Sequence, residues 1–287
     1  MRPVCVVALA LCCALSATFL AWTAASSCKG TDDFLERPTA LPKDVRERDF
    51  KAATSVAAGN YKAAWEAFGN GRHVLNSAIV TGIALVILLS AGPMAAYALV
   101  RLPTPGRCAI LLLFLAGFSV PLPLLCVPLY FLSNGLGALS IMGFHPLADP
   151  RVRLGLIDAA VFLPFTIYVL TGYMRSLPKE LEEAAAIDGC SPMGTLFRVV
   201  LPTLAPALGT VAVLDGFEIW NEYLLALILL QDPAVFTLPR GLYDLQAQMG
   251  HAMQLTPIFA GIAITLVAPL VLFPLWEKRA LAGFEPG

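Results

Sequence analysis

Six apolar runs, each long enough to cross a hydrocarbon core as a helix, divide this chain at about 4–25, 76–100, 108–131, 154–174, 206–230 and 257–276. A spanning helix needs roughly 20 apolar residues, and inside lipid every backbone amide must find its partner within its own segment. The fold these constraints predict is an all-α membrane protein with six transmembrane helices. Composition agrees: of 287 residues, 58% are hydrophobic and only 14% are charged, against about a quarter charged in soluble domains. The charges cluster between the runs and nearly cancel, so no basic face exists for nucleic acid, and the surrounding partner is membrane lipid.

An even number of spans puts both termini on one side. Arg2, then Arg101 and Arg107, then Arg175, Lys179 and Arg198, then Lys278 and Arg279 all fall on that side, and the short-loop bias makes it cytoplasmic. The expected organisation is a first helix over 1–25, an extracytoplasmic loop with short helices over 26–75, a transmembrane core over 76–279 with a cytoplasmic loop at 175–205, and a cytoplasmic tail at 280–287. The first run also fits a cleavable signal peptide or an uncleaved signal anchor, and either reading leaves the sidedness of the rest unchanged. In the loop, Tyr61, Ala64, Trp65 and Phe68 form an amphipathic segment expected to lie along the membrane face. The seven cysteines fall mostly within apolar runs and make no disulfide framework.

Two runs carry more than hydrophobicity. The third holds Pro121, Pro123 and Pro128, so its helix must be kinked or opened, either to line a pathway or to pack. In the fifth, Asp215, Glu218 and Glu222 recur at i, i+3 and i+7, which places three carboxylates on one helical stripe beside Trp220, Asn221 and Tyr223. Carboxylates, an amide and aromatic faces suit a hydroxyl-rich solute; the same groups could instead pair with a neighbouring subunit. Asp158 in the fourth run could join that cavity or lie wet near a helix end.

Some chemistry has no residues to perform it. No Gly-Lys dipeptide occurs, so the phosphate-cradling loop of an ATPase is missing. His73, His145 and His251 are scattered without a second ligand at metal spacing. No catalytic residues, no metal and no cofactor are expected on this chain. A membrane enzyme or an ion-coupled carrier using the fifth-run carboxylates stays as an alternative.

The loop at 175–205 is unlike everything around it. Pro178 opens a run of good helix formers with acids early, Lys179-Glu180-Leu181-Glu182-Glu183-Ala184-Ala185-Ala186-Ile187-Asp188, and Gly189 supplies a stop. Ser191 then caps a second helix with Pro192 as its first residue, and Met193, Leu196, Phe197 and Val200 form an apolar stripe that ends before Pro202. Two short helices meeting at a turn offer knobs to a partner's groove.

The spaced pattern Glu183-Ala184-Ala185, Gly189, then Val199-Val200-Leu201-Pro202 resembles the EAA motif of ABC-importer permeases. Leu75-Asn76-Ser77, Ala95-Ala96-Tyr97-Ala98-Leu99, Pro128-Leu129-Tyr130, Leu163-Pro164-Phe165, Trp220-Asn221-Glu222-Tyr223 and Thr237-Leu238-Pro239 look like the carbohydrate-importer branch, the bacterial inner-membrane proteins similar to the maltose permease G subunit. The resemblance implies a type I ABC importer permease fold, a homologous second permease, a dimer of ATP-binding subunits that uses ATP and Mg, and an extracytoplasmic solute-binding protein. It implies that the loop is a coupling helix docking on the ATPase. Glu183 would be the pairing charge, Ala184 and Ala185 the close-contact surface, Gly189 the turn, and Met193, Phe197, Leu201 and Pro202 the flanking contacts. Glu218 and Asp215 depart from the small and apolar residues usual there, so the solute would differ from a neutral oligosaccharide or the acids would face the second permease. The tail matches the family only loosely.

Overall fold

The computed structural model describes residues 2–103, 105–138, 147–251 and 254–281, and every regular element among them is helical. In chain order these are α1 (Arg2–Ser27), α2 (Thr31–Glu36), α3 (Lys43–Arg46), α4 (Phe50–Ala67), α5 (Arg72–Arg101), α6 (Arg107–Phe118), α7 (Leu122–Gly137), α8 (Pro150–Ser176), α9 (Glu180–Ile187), α10 (Pro192–Thr195), a π turn over Leu196–Val200, α11 (Leu201–Thr203), α12 (Ala205–Asn221), α13 (Leu224–Leu229), a 3-10 turn over Pro233–Val235, α14 (Leu238–His251) and α15 (Thr256–Leu281). His145 and tail residues 282–287 lie outside the described residues.

Three uninterrupted helices are long and apolar enough to cross a bilayer: Val6–Ser27 within α1, α5, and α8. Two further candidates are bent pairs, α6 with α7 at 97° and the 192–203 segment with α12 at 74°. The last apolar run folds as α15, whose apolar stretch covers Thr256–Val267. Three to five candidate spans therefore stand where six simple rods were expected, and the differences sit at prolines and polar residues. The third run breaks at Ser119-Val120-Pro121, where Pro121 has no amide to continue the ladder. Pro128 stays inside α7. The fifth run stops at Asn221 and restarts at Leu224.

The chain divides into two compact units. The first comprises the chain to Val74 together with Leu238–Pro269. Here Trp22, Phe34 and Phe259 form an aromatic cluster, with Phe34 and Phe259 centroids 4.9 Å apart. Lys29 is buried and its ammonium donates to the Arg37 and Pro38 carbonyls, both at 3.0 Å. The Asn60 amide donates to the Ser27 and Lys29 carbonyls at 2.8 Å, and the Tyr61 and Ser27 hydroxyls are 3.1 Å apart, so α4 is pinned to the end of α1. This corrects the expected membrane-surface segment: Ala64 and Phe68 are fully buried inside this unit, and only Trp65 is turned outward. Gly69, Asn70 and Gly71 end α4 in three successive left-handed residues, with φ of 60°, 53° and 91°. A side chain on Gly71 would meet the Trp65 ring at 2.9 Å, so that position needs glycine twice over.

The second unit comprises Leu75–Thr237 with the chain from Leu270 on. Its α5 and α8 approach closely because glycine leaves room: a Cβ on Gly155 would stand 3.0 Å from the Ile83 side chain and the Val80 carbonyl. Small residues at the crossing are the usual means of close packing in lipid, where apolar side chains gain nothing by leaving the tails. One buried cluster gathers Ala84, Leu88, Ile157, Ile219 and Leu225. A second gathers Tyr97, Leu170, Met174, Leu196, Val200 and Val211, and it anchors the 175–205 loop to the ends of α5 and α8.

Candidate functional site

The loop after α8 is built by local rules. Helix α9 begins at Glu180 with Lys179 as its N-cap, so Pro178 lies before the helix and does not open it as expected. Three glutamates in the first turn complement the helix dipole. Gly189 adopts φ +80°. The Cys190 amide donates to the Ala185 carbonyl at 2.9 Å and the Gly189 amide to Ala186 at 3.1 Å, which is the paired closure of a Schellman turn. Ser191 then caps α10 by accepting from the Gly194 amide at 3.2 Å. A π turn follows, in which the Leu201 amide reaches back five residues to the Leu196 carbonyl, and Pro202 comes directly after it. The helix continues through Pro202 to Thr203 and bends at Leu204, later than the sequence suggested.

This geometry sorts the predicted contact residues. Glu183, Ala184, Gly189 and Pro202 are exposed, and Met193 and Phe197 present about half their surface one turn apart. Ile187, at the end of α9, is 87% exposed, an apolar side chain held in the open. The apolar stripe is split, because Leu196 and Val200 turn inward to the second cluster. Ala185 is also buried, so it supports α9 from within and is not contact surface. Leu201 is half-buried against the same cluster.

Sequence reasoning missed what holds the loop in place. Arg101, the last residue of α5, sets its Nε 2.6 Å from Glu182 Oε1, and both side chains are largely buried. Its Nη2 donates to the Met174 and Leu177 carbonyls at 3.0 and 2.9 Å, closing the end of α8. The only hint in the sequence was that Glu182 sits beside Glu183 on a helix where one of two neighbours must face inward.

The three fifth-run carboxylates do not share one stripe. Asp215 is buried, with Oδ2 accepting from the Thr166 hydroxyl at 2.6 Å and Oδ1 without a partner among the described residues. Glu218 is exposed. Glu222 falls in the break after α12, where its carboxylate accepts from the Leu225 and Ala226 amides at 2.7 and 3.2 Å and so caps α13. Trp220 is buried, the Asn221 amide donates to the Phe217 carbonyl at 2.8 Å, and Tyr223 is about half exposed. Asp158, expected near an end and wet, is buried in α8 with both oxygens lacking partners among the described residues. Asp215 and Glu218 line a cavity of about 530 Å³ with Phe118, Phe162, Phe165 and Phe217.

Residues 89–276, which take in the loop, the bent pairs and this cavity, match the family described as binding-protein-dependent transport system inner membrane component. The chain belongs to that family. It is the permease subunit of an ABC transporter, a multi-pass inner-membrane component distinct from the ATPase. The permease is 32% identical over 266 residues to the diacetylchitobiose uptake system permease protein NgcG of Streptomyces coelicolor, covering 93% of this chain and 82% of that one. It is 31% identical over 229 residues to the melibiose/raffinose/stachyose import permease protein MelC of Bacillus subtilis, covering 79% of each. Its fold is similar to that of a chain from the crystal structure of a bacterial ABC transporter involved in import of the acidic polysaccharide alginate, with a TM-score of 0.71 at 20% identity, covering 96% of this chain and 94% of that one. Operation with a solute-binding protein follows from the family.

Proposed function

We propose that the permease forms half of a translocation pathway for a sugar or oligosaccharide and couples it to ATP hydrolysis on a separate subunit. The 175–205 loop is the coupling element. The observation that carries this reading is the exposed surface of Glu183, Ala184, Met193 and Phe197, presented by two short helices that a Schellman turn and the Arg101–Glu182 ion pair hold rigid. Half-exposed apolar knobs on a fixed helix pair suit a protein groove, and Glu183 beside them suits a basic residue of that groove. The partners are a homologous second permease, a dimer of ATP-binding subunits that holds ATP and Mg, and an extracytoplasmic binding protein that delivers solute. The functional chain has six spans with both termini in the cytoplasm, counting α6 with α7 as one span and α12 and α15 as one each beside α1, α5 and α8. The substrate class rests on relatives named for sugar uptake, and Asp215 and Glu218, one turn apart on α12, are the side chains read as bordering the path.

Glu183→Lys and Gly189→Asp test the coupling role. Gly189 sits in the left-handed region, where a side chain costs about 1–2 kcal/mol. Both variants should insert and assemble yet lose uptake, with ATP hydrolysis no longer stimulated by loaded binding protein. Uptake and stimulation at wild-type levels in Glu183→Lys would remove that residue from the coupling contact.

A further inference from the structure

The cavity between α6, α8 and α12 has an unusual wall. Phe118 and Phe165 stack with centroids 5.8 Å apart, and Phe162 and Phe217 complete an aromatic lining over about 530 Å³. Its polar lining side chains are Asp215 and Glu218, one helical turn apart on α12. The Thr166 hydroxyl is already spent on Asp215 Oδ2, and Asp215 is 1% exposed with Oδ1 unpartnered. An unpartnered carboxylate oxygen in a buried site is costly, and such a group in a span marks a place where something else binds. This wall accepts hydrogen bonds and has no side chain to donate one. A sugar hydroxyl both donates and accepts, so it would leave lone pairs unmet here, while an ammonium only donates. Aromatic faces beside carboxylates are the environment in which a cation is held best. Anionic sugars are repelled by the same pair.

We infer that this cavity is a subsite for a sugar carrying a protonated amino group, with the ammonium at Asp215 and Glu218 and the ring on the phenylalanine faces. The inference rests on the reading that α12 borders the pathway, and it names what that pathway prefers.

The test uses the assembled permease–ATPase complex in lipid nanodiscs without binding protein, so that the permease alone selects. Binding of chitobiose with free amines, cellobiose and digalacturonate is followed by saturation-transfer NMR. Chitobiose should bind about 10-fold or more tightly than cellobiose, the advantage of a charge-assisted bond over a neutral one, and digalacturonate should not bind. Asp215→Asn and Glu218→Gln should each shrink the ratio of chitobiose to cellobiose affinity toward one. Cellobiose binding as well as chitobiose, no binding of chitobiose, or a preference untouched by both variants would overturn the inference. Leu214→Trp, which fills the cavity from a lining position, separates the two claims. If uptake by the full transporter persists in this variant, the pathway reading fails; if uptake stops while wild type shows no amine preference, only the subsite fails.

Discussion

Arg101 and Glu182 join the end of a long apolar helix to the first turn of a short polar one through a 2.6 Å ion pair with little exposure on either side. Arg101 also closes two carbonyls at the end of α8, so a single guanidinium holds three elements at a fixed angle. Arg101→Glu and Glu182→Arg should each lose uptake and lower the melting temperature of the solubilised complex, since a hydrogen bond to a charged group contributes roughly 1.5–3 kcal/mol. The double charge swap should recover part of both. A swap no better than its parents would show that the two charges act independently.

Met193 and Phe197 face outward while Leu196 between them faces in. Phe197→Asp should leave the permease folded but reduce co-purification of the ATPase by an order of magnitude. Leu196→Asp should prevent accumulation of the permease itself, because it buries an unpaired charge. Equal ATPase recovery from wild type and Phe197→Asp would exclude that face from the interface.

Glu222 caps a helix, so its removal should read as instability. Glu222→Ala leaves two amides of α13 unmet and should cost about 0.5–2 kcal/mol, the range for a lost cap. The solute profile should remain that of the wild type. A changed profile at unchanged melting temperature would return Glu222 to the substrate path.

The Arg151 guanidinium beside Asp149 holds the Asp149 carboxyl below the usual aspartate range. Because the unfolded chain takes up that proton more readily, the contribution is complete above the unfolded value of roughly 3.9 and fades as pH falls through the lower folded value. Asp149→Asn should therefore melt lower than wild type at pH 7, with the gap closing below about pH 4 in thermal scans. A gap that is constant with pH would mean that the charge is not its source.

The positions of α1, α5 and α8, the Gly189 stop and the Ser191 cap were legible because each depends on a few adjacent residues: apolar length, a left-handed turn, a hydroxyl before a proline. What was not legible depends on the third dimension. Glu222 fits a helical stripe by spacing alone, and only the break at Asn221 turns it into a cap. Ala184 and Ala185 are chemically identical, and the packing of α9 decides that one is exposed and the other buried. The segment from Tyr61 to Phe68 has the amphipathic pattern of a membrane-surface helix, yet the same pattern serves a helix that buries its apolar face in its own unit. Arg101 carries no motif at all, and its role exists only because Glu182 folds back on it.

The π turn between Leu196 and Val200 holds one residue more than an α turn would need. In an α-helix each residue advances the chain by about 100° of rotation, so that surplus residue sets the heading of everything before it. Met193 points where it does because that spacer lies between it and the membrane helix. Deleting Val199 from that turn would swing the docking face around the helix axis while Glu183, Met193 and Phe197 keep their own chemistry. Orientation of that face is thus encoded separately from its chemistry.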